Sequence, residues 1–124
     1  MDLSQYADLF LAESREHLSA CNTLLLALER NPAAKDSVSG IFRAMHTVKG
    51  MAATMGYARV AELGHAAETL LDGLREGSAP VSDETVQLLF RAVDGLERSI
   101  QLAGTLGLGN DREVAEQLLA EGGV

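Results

Sequence analysis

Hydrophobic residues recur at intervals of three and four along most of this chain, a spacing typical of amphipathic α-helices. The two prolines, Pro32 and Pro80, fall in gaps between these segments. The pattern predicts four main helices and a short fifth one, at about residues 3–29, 37–55, 58–75, 83–103 and 111–119. Four amphipathic helices with short links predict an all-α fold, an antiparallel four-helix bundle with the fifth helix packed against one end.

Each main helix carries one predicted apolar stripe that faces the core. In the first helix the stripe is Leu3, Tyr6, Phe10, His17, Cys21, Leu24 and Leu28. In the second it is Ile41, Ala44, Met45, Val48, Met51, Ala52 and Met55. In the third it is Val60, Leu63, Ala67, Leu70, Leu71 and Leu74. In the fourth it is Val86, Leu89, Val93, Leu96, Ile100 and Ala103, with Ser82 as the predicted N-cap.

Length, composition and charge exclude several classes of protein. At 124 residues the chain is predicted to form a single domain, 1–124. Its formal net charge of −8 argues against nucleic-acid binding, which relies on clustered Lys and Arg. The single cysteine, Cys21, has no partner for an internal disulfide, and the start of the chain does not resemble a secretion signal. The longest apolar run, residues 24–28, is too short to span a membrane, so we expect a cytoplasmic protein without membrane insertion.

The stretch "RAMHTVKGMAATMGY" places a histidine on the polar side of the second predicted helix. At about 100° per residue, His46 points away from the apolar arc. Its neighbours on that side are Phe42, Lys49, Gly50 and Ala53. A glycine inside a helix costs about 1 kcal/mol relative to alanine, so Gly50 is expected to serve something other than helix stability. Room for a partner beside His46 is the simplest explanation, which makes Phe42, Gly50 and Ala53 candidate binding residues.

The third predicted helix carries a matching polar face around His65. This face consists of Glu62, His65, Glu68, Thr69 and Asp72. If the register of the two helices allows it, Glu68 or His65 reaches the imidazole of His46. A carboxylate that accepts the Nδ1 proton fixes the tautomer, leaves the Nε2 lone pair free and stabilises positive charge on the ring.

The strings "HTVKGMAATMGY" and "LGHAAETLLDGLREG" resemble the histidine phosphotransfer domain at the N-terminus of CheA-type chemotaxis histidine kinases. The resemblance extends over nearly the whole chain, including the opening "YADLFLAESREHL". It implies that His46 is the phosphoacceptor, that Glu68 is its hydrogen-bonding partner, and that Lys49 and His65 complete the polar network. The chain departs from the family at Met51 and Ala53, where members often carry glycine.

The resemblance also implies a reaction and its partners. A kinase domain of the same or a partner chain holds ATP and Mg²⁺, His46 takes the γ-phosphoryl group, and a response regulator of the CheY or CheB kind receives it. Because the sequence has no Gly-rich phosphate loop, we expect this domain to bind no cofactor and no metal itself. It is then the phosphoacceptor part of a protein histidine kinase, with the catalytic domain elsewhere, and a monomer.

Other interpretations remain open from the residues alone. A free-standing phosphotransfer protein shares the same site chemistry, and an adaptor bundle uses the His46 face for binding without chemistry. A metal–carboxylate bundle enzyme is suggested by the Glu62 and His65 pair, but such sites need the same step on a second helix, which is missing here. His17 and Cys21 supply too few ligands for a structural metal site, so His17 is expected to be buried and hydrogen-bonded.

Overall fold

The computed structural model describes residues 3–106, and they form four helices. These are α1 (Leu3–Arg30), α2 (Lys35–Thr54), α3 (Ala58–Glu76) and α4 (Asp83–Leu106). The links between them are short: residues 31–34, 55–57 and 77–82. The predicted all-α four-helix bundle is confirmed, whereas the fifth helix predicted for residues 111–119 lies outside the described residues. Over the described part of the chain, no helix is long and apolar enough to cross a membrane.

Each helix packs against its neighbours in the chain, and α4 returns to pack against α1. Contacts between α1 and α4 show their relative direction. Asn22 donates to Glu97, while Glu29, farther along α1, accepts from Gln87, which lies earlier in α4. The two helices therefore run antiparallel, as expected for helices connected by short links.

The helix ends explain why the links are so short. Gly56 and Gly77 have φ angles of 78° and 85°, and these left-handed conformations end α2 and α3. At the start of α4, the Ser82 hydroxyl accepts from the backbone N–H of Thr85 at 3.2 Å, and Thr85 Oγ1 accepts from the backbone N–H of Ser82 at 2.9 Å. This reciprocal cap satisfies two backbone donors, so the N-cap predicted at Ser82 is confirmed.

One stripe from each helix forms the core. On α4 the predicted stripe is buried throughout: Val86, Leu89, Val93, Leu96, Ile100 and Ala103. On α2 the buried members of the predicted arc are Ile41, Ala44, Met45, Val48 and Ala52, and Met51 and Met55 are partly buried. Each large apolar side chain that leaves water in this way contributes roughly 1.5–3 kcal/mol. The stripe on α2 fixes which of its residues point outward, and His46 is one of them.

The stripe predicted for α1 is partly wrong. Tyr6 is 48% exposed, and His17 and Leu24 are only partly buried, whereas Leu18 and Leu25 are fully buried. The buried residues keep part of the prediction but contain Leu18 and Leu25 in place of His17 and Leu24: Phe10, Ser14, Leu18, Cys21, Leu25 and Leu28. Because α1 packs against both α2 and α4, the positions of those two helices decide which of its neighbouring leucines face inward.

An open groove separates α3 from α4 along part of their length. Its volume is about 700 Å³, and its apolar lining includes Leu63 and Leu70 from α3 and Leu88 and Ala92 from α4. Leu63 and Leu70 belong to the stripe predicted for α3, but the groove leaves them only partly buried. The other face of α3 packs closely on α2, and the candidate site lies along that contact.

Candidate functional site

His46 stands in the middle of α2 on the side away from the core. The neighbouring residues Met45 and Val48 are fully buried, and this fixes the outward direction of position 46 on the helix. The imidazole side chain is 61% exposed. It is therefore accessible to another molecule while its backbone is held by the bundle.

Glu68 of α3 joins His46 to Lys49. His46 Nδ1 lies 3.2 Å from Glu68 Oε1, and Lys49 Nζ lies 2.9 Å from Glu68 Oε2. The glutamate side chain is only 15% exposed, so both of its oxygens meet protein partners in a mostly enclosed position. The relative positions of α2 and α3 therefore allow the contact between His46 and Glu68 that the sequence left open.

The ionisation of Glu68 sets the direction of its hydrogen bond with His46. Burial alone would raise the pKa of this carboxyl, but the hydrogen bonds and positive charges of Lys49 and His46 outweigh it and hold the pKa below its ordinary value of 4.5. Near neutral pH Glu68 is therefore an ionised carboxylate, which only accepts hydrogen bonds. His46 Nδ1 must then be the donor, and in the neutral ring the lone pair is on Nε2.

Gly64 allows α2 and α3 to approach closely at the site. It is buried, and a Cβ placed on it would lie 3.2 Å from the Cβ of Lys49 and 3.4 Å from its Cα. Such contacts are tighter than those that side chains normally make. The absence of a side chain at Gly64 thus brings Lys49 against α3, one helical turn from Glu68.

A second group of contacts surrounds Phe42, one turn before His46. The Phe42 and His46 rings lie within 8° of parallel, with their centroids 6.3 Å apart. The guanidinium carbon of Arg75, near the end of α3, lies 4.2 Å from the centre of the Phe42 ring. Arg75 Nη2 also lies 2.8 Å from Oδ1 of Asp72. Sequence reasoning missed Arg75, although its position two turns after Glu68 places it on the same face of α3.

The remaining predicted site residues lie around this centre. Gly50 is exposed, and a Cβ on it would meet nothing within 4 Å. Ala53 and His65 line a shallow depression of about 520 Å³ together with Lys49. His65 was predicted to belong to the polar network, but within residues 3–106 no described hydrogen bond joins its ring to Glu68 or His46. Its roles, and those of the other site residues, stay predictions.

The other histidine and cysteine candidates lie apart from the site. His17 is partly exposed, so the prediction of a buried histidine is wrong. Cys21 is fully buried, and burial, together with the negative charge of Glu97, raises the pKa of its thiol to about 12. Within residues 3–106, no three His, Cys, Asp or Glu side chains lie close enough together to hold a metal ion.

Fold and site together define a class of protein: a helical bundle with an exposed histidine whose Nδ1 contacts a carboxylate from the next helix. A sequence model of the Hpt domain matches residues 5–101. The chain therefore belongs to the Hpt domain family.

Similarity to known proteins and solved structures supports membership of this family. The chain is 48% identical to the chemotaxis protein CheA of Bacillus subtilis over 101 residues, which is 82% of this chain and 15% of that protein. The CheA phosphotransferase domain from Thermotoga maritima superposes with a TM-score of 0.78 at 35% identity, covering 82% of this chain and 96% of that one. The chain thus spans about 15% of the length of this curated relative and nearly all of the phosphotransferase domain.

A third comparison involves a complex. The phosphorylated P1 domain of CheA3 from R. sphaeroides, in complex with CheY6, has a TM-score of 0.78 to this chain at 25% identity, with 95% of each chain covered. The bundle described here is therefore also the fold of a domain that was observed in its phosphorylated form.

Proposed function

We propose that this chain is the phosphoacceptor and relay domain of a CheA-type histidine kinase, with His46 as the phosphorylated residue. The observation that carries the proposal is the 3.2 Å contact between His46 Nδ1 and Glu68 Oε1. It leaves Nε2 as the nucleophilic nitrogen on a side chain that is 61% exposed. Membership of the Hpt domain family supports the same assignment.

The residues present account for the chemistry on this side of the reaction. The Nε2 lone pair attacks the γ-phosphorus of ATP in line, the N–P bond forms, and the P–O bond to the leaving ADP breaks with its electron pair going to ADP. No proton has to leave Nε2, and the positive charge that develops on the ring is stabilised by the ionised Glu68 at Nδ1. ATP and Mg²⁺ are held by a separate kinase domain, and they supply the phosphoryl group and its charge neutralisation.

Lys49 supports the site through Glu68. Its ammonium lies 2.9 Å from Glu68 Oε2 and its side chain is 25% exposed. By holding one carboxylate oxygen, Lys49 leaves the other directed at His46. The same positive charge offsets part of the roughly two negative charges that a phosphoryl group brings.

The second half of the relay transfers the phosphoryl group to an aspartate of a response regulator. There the N–P bond to Nε2 breaks, an O–P bond to the aspartate forms, and the imidazole recovers its lone pair. The complex of a phosphorylated P1 domain with CheY6 supports a receiver of this kind as the partner. The open space over Gly50 leaves room for such a partner beside the histidine. The relatives' greater length supports a kinase domain in the same parent chain.

Phosphoryl transfer from labelled ATP tests the proposal. A CheA-type kinase core with γ-labelled ATP should label the wild-type chain, and the label should be acid-labile and alkali-stable, as expected for phosphohistidine. His46→Gln should abolish labelling while the helical circular dichroism stays unchanged, because His46 is exposed and takes no part in the core. His17→Gln on α1 is the matched control and should retain the label. Full labelling of His46→Gln would reject His46 as the phosphoacceptor.

A further inference from the structure

The exposure of His46 raises the question of what holds its ring in place. Glu68 fixes one nitrogen, but a single hydrogen bond of 3.2 Å to a side chain that is 61% exposed leaves other rotamers open. Among the described residues, the ring has one further neighbour, the nearly parallel ring of Phe42, whose centroid lies 6.3 Å from that of the imidazole. The orientation of Phe42 therefore affects that of His46.

Arg75 in turn holds Phe42. Its guanidinium carbon lies 4.2 Å from the ring centre, well within the distance at which a cation is attracted to an aromatic face. The pair with Asp72, at 2.8 Å, restrains the same guanidinium from its own helix. Because Phe42 is on α2 and Arg75 is on α3, this contact ties the two helices together one turn away from the bond between His46 and Glu68.

We propose that Arg75 is a positioning residue for phosphoryl acceptance: through Phe42, it keeps the His46 imidazole in the orientation that presents Nε2. The inference rests on the proposed function for its kinetic consequence, but its structural part concerns the isolated domain. Asp72, Arg75, Phe42 and His46 form a continuous series of contacts, and Arg75 acts on the reacting ring without touching it.

A double-mutant cycle tests whether Arg75 acts through Phe42. Arg75→Gln removes the cation and should lower the rate of phosphoryl acceptance from a CheA-type kinase core by about two- to fivefold, the size of an exposed cation–π contact. In a Phe42→Leu background, Arg75→Gln should have no further effect, because the ring through which it acts is absent. Equal effects of Arg75→Gln in both backgrounds would overturn the proposal.

A measurement on the isolated domain separates positioning from partner contact. In the chain labelled with ¹⁵N-histidine and without any kinase, Arg75→Gln should shift the ring-nitrogen resonances of His46. Arg98→Gln on α4, which removes an arginine that pairs with Asp94, should leave these resonances unchanged. Unchanged His46 resonances in Arg75→Gln, together with a slower reaction, would assign Arg75 to the kinase interface and overturn the positioning role.

The two experiments also distinguish this inference from the proposed function. If an active kinase core fails to label the wild-type chain, the proposed function fails. The ring-nitrogen resonances in Arg75→Gln still decide whether Arg75 orients His46, because they need no phosphoryl transfer.

Discussion

Glu68 has two partners in the site, and each of its oxygens serves one of them. Oε1 meets His46 and Oε2 meets Lys49. Glu68→Ala should therefore slow phosphoryl acceptance by about tenfold, because a hydrogen bond to a charged group is worth about 1.5 kcal/mol and about 1.4 kcal/mol changes a rate tenfold. The initial rate of label incorporation measures the effect. Glu62→Ala is the matched control, since Glu62 is an exposed glutamate on the same helix that pairs with Arg59. Equal rates in Glu68→Ala and Glu62→Ala would remove Glu68 from the mechanism.

The lowered pKa of Glu68 also predicts how the ion pair contributes to stability as the pH changes. A carboxyl whose pKa is lower in the folded state than in the unfolded state stabilises the fold above the unfolded value, here 4.5. This contribution is lost as the pH falls through the lower, folded pKa. Wild type should thus be more stable than Glu68→Gln at pH 7, by less than about 1 kcal/mol for a partly exposed pair.

Urea unfolding of both chains between pH 7 and pH 3 measures this difference directly. The comparison cancels the titration of all carboxyl groups that the two chains share. The stability difference should shrink below pH 4.5. A difference that stays constant down to pH 3 would contradict the assignment of an ionised Glu68 paired with Lys49 and His46.

The close approach of α2 and α3 depends on Gly64. Alanine is favoured over glycine in a helix by about 1 kcal/mol, but a Cβ at position 64 would lie 3.2 Å from the Cβ of Lys49. Gly64→Ala should therefore move the two helices apart by a few tenths of an ångström, lengthen the bond between His46 and Glu68 and slow phosphoryl acceptance about threefold. Rates and urea unfolding, measured on the same preparations, separate the effect on the site from the effect on the helix.

Gly73 provides the control for this substitution. It lies on the same helix, and a Cβ there would meet Ala79 and Ser78 at 3.5 Å, an ordinary contact. Gly73→Ala should gain helix stability without slowing the reaction. If both alanine variants react at the wild-type rate, the packing of Gly64 on Lys49 does not set the geometry of the site.

The helices differ in how much of their packing was predictable. On α4 the apolar residues form one unambiguous stripe, and all of its predicted residues are buried. On α1 the run "LLLAL" offers several neighbouring leucines, and periodicity alone does not choose between Leu24 and Leu25. The structure buries Leu25 because α1 is held between α2 and α4, and that arrangement is a tertiary property.

The contacts within the candidate site were also only partly predictable from the sequence. The outward direction of His46 follows from the helical arc of α2, and the polar face of α3 follows from its own periodicity. Their meeting depends on the register between the helices, which the sequence pattern does not contain. Arg75 was missed for a related reason: its contact with Phe42 crosses from one helix to the other, and helical spacing describes only one helix at a time.

The rate at which Cys21 reacts with a thiol reagent can be used to follow unfolding of the bundle. Its thiol is fully buried, and its pKa of about 12 means that very little thiolate exists at pH 8 in the folded state. A thiol reagent should therefore react only when the core opens, and the urea dependence of labelling should follow the loss of helical circular dichroism. Rapid labelling of the native chain at pH 8, compared with the chain in concentrated urea, would show that α1 opens separately from the rest.

The contacts described for the His46 ring come from α2 and α3 alone. The α1 helix makes none of these described contacts and displays exposed apolar residues such as Leu9 and Leu26. Substitutions on the outer surface of α1 should therefore leave the contacts of the His46 ring intact, so that this surface can change its residues independently of the site.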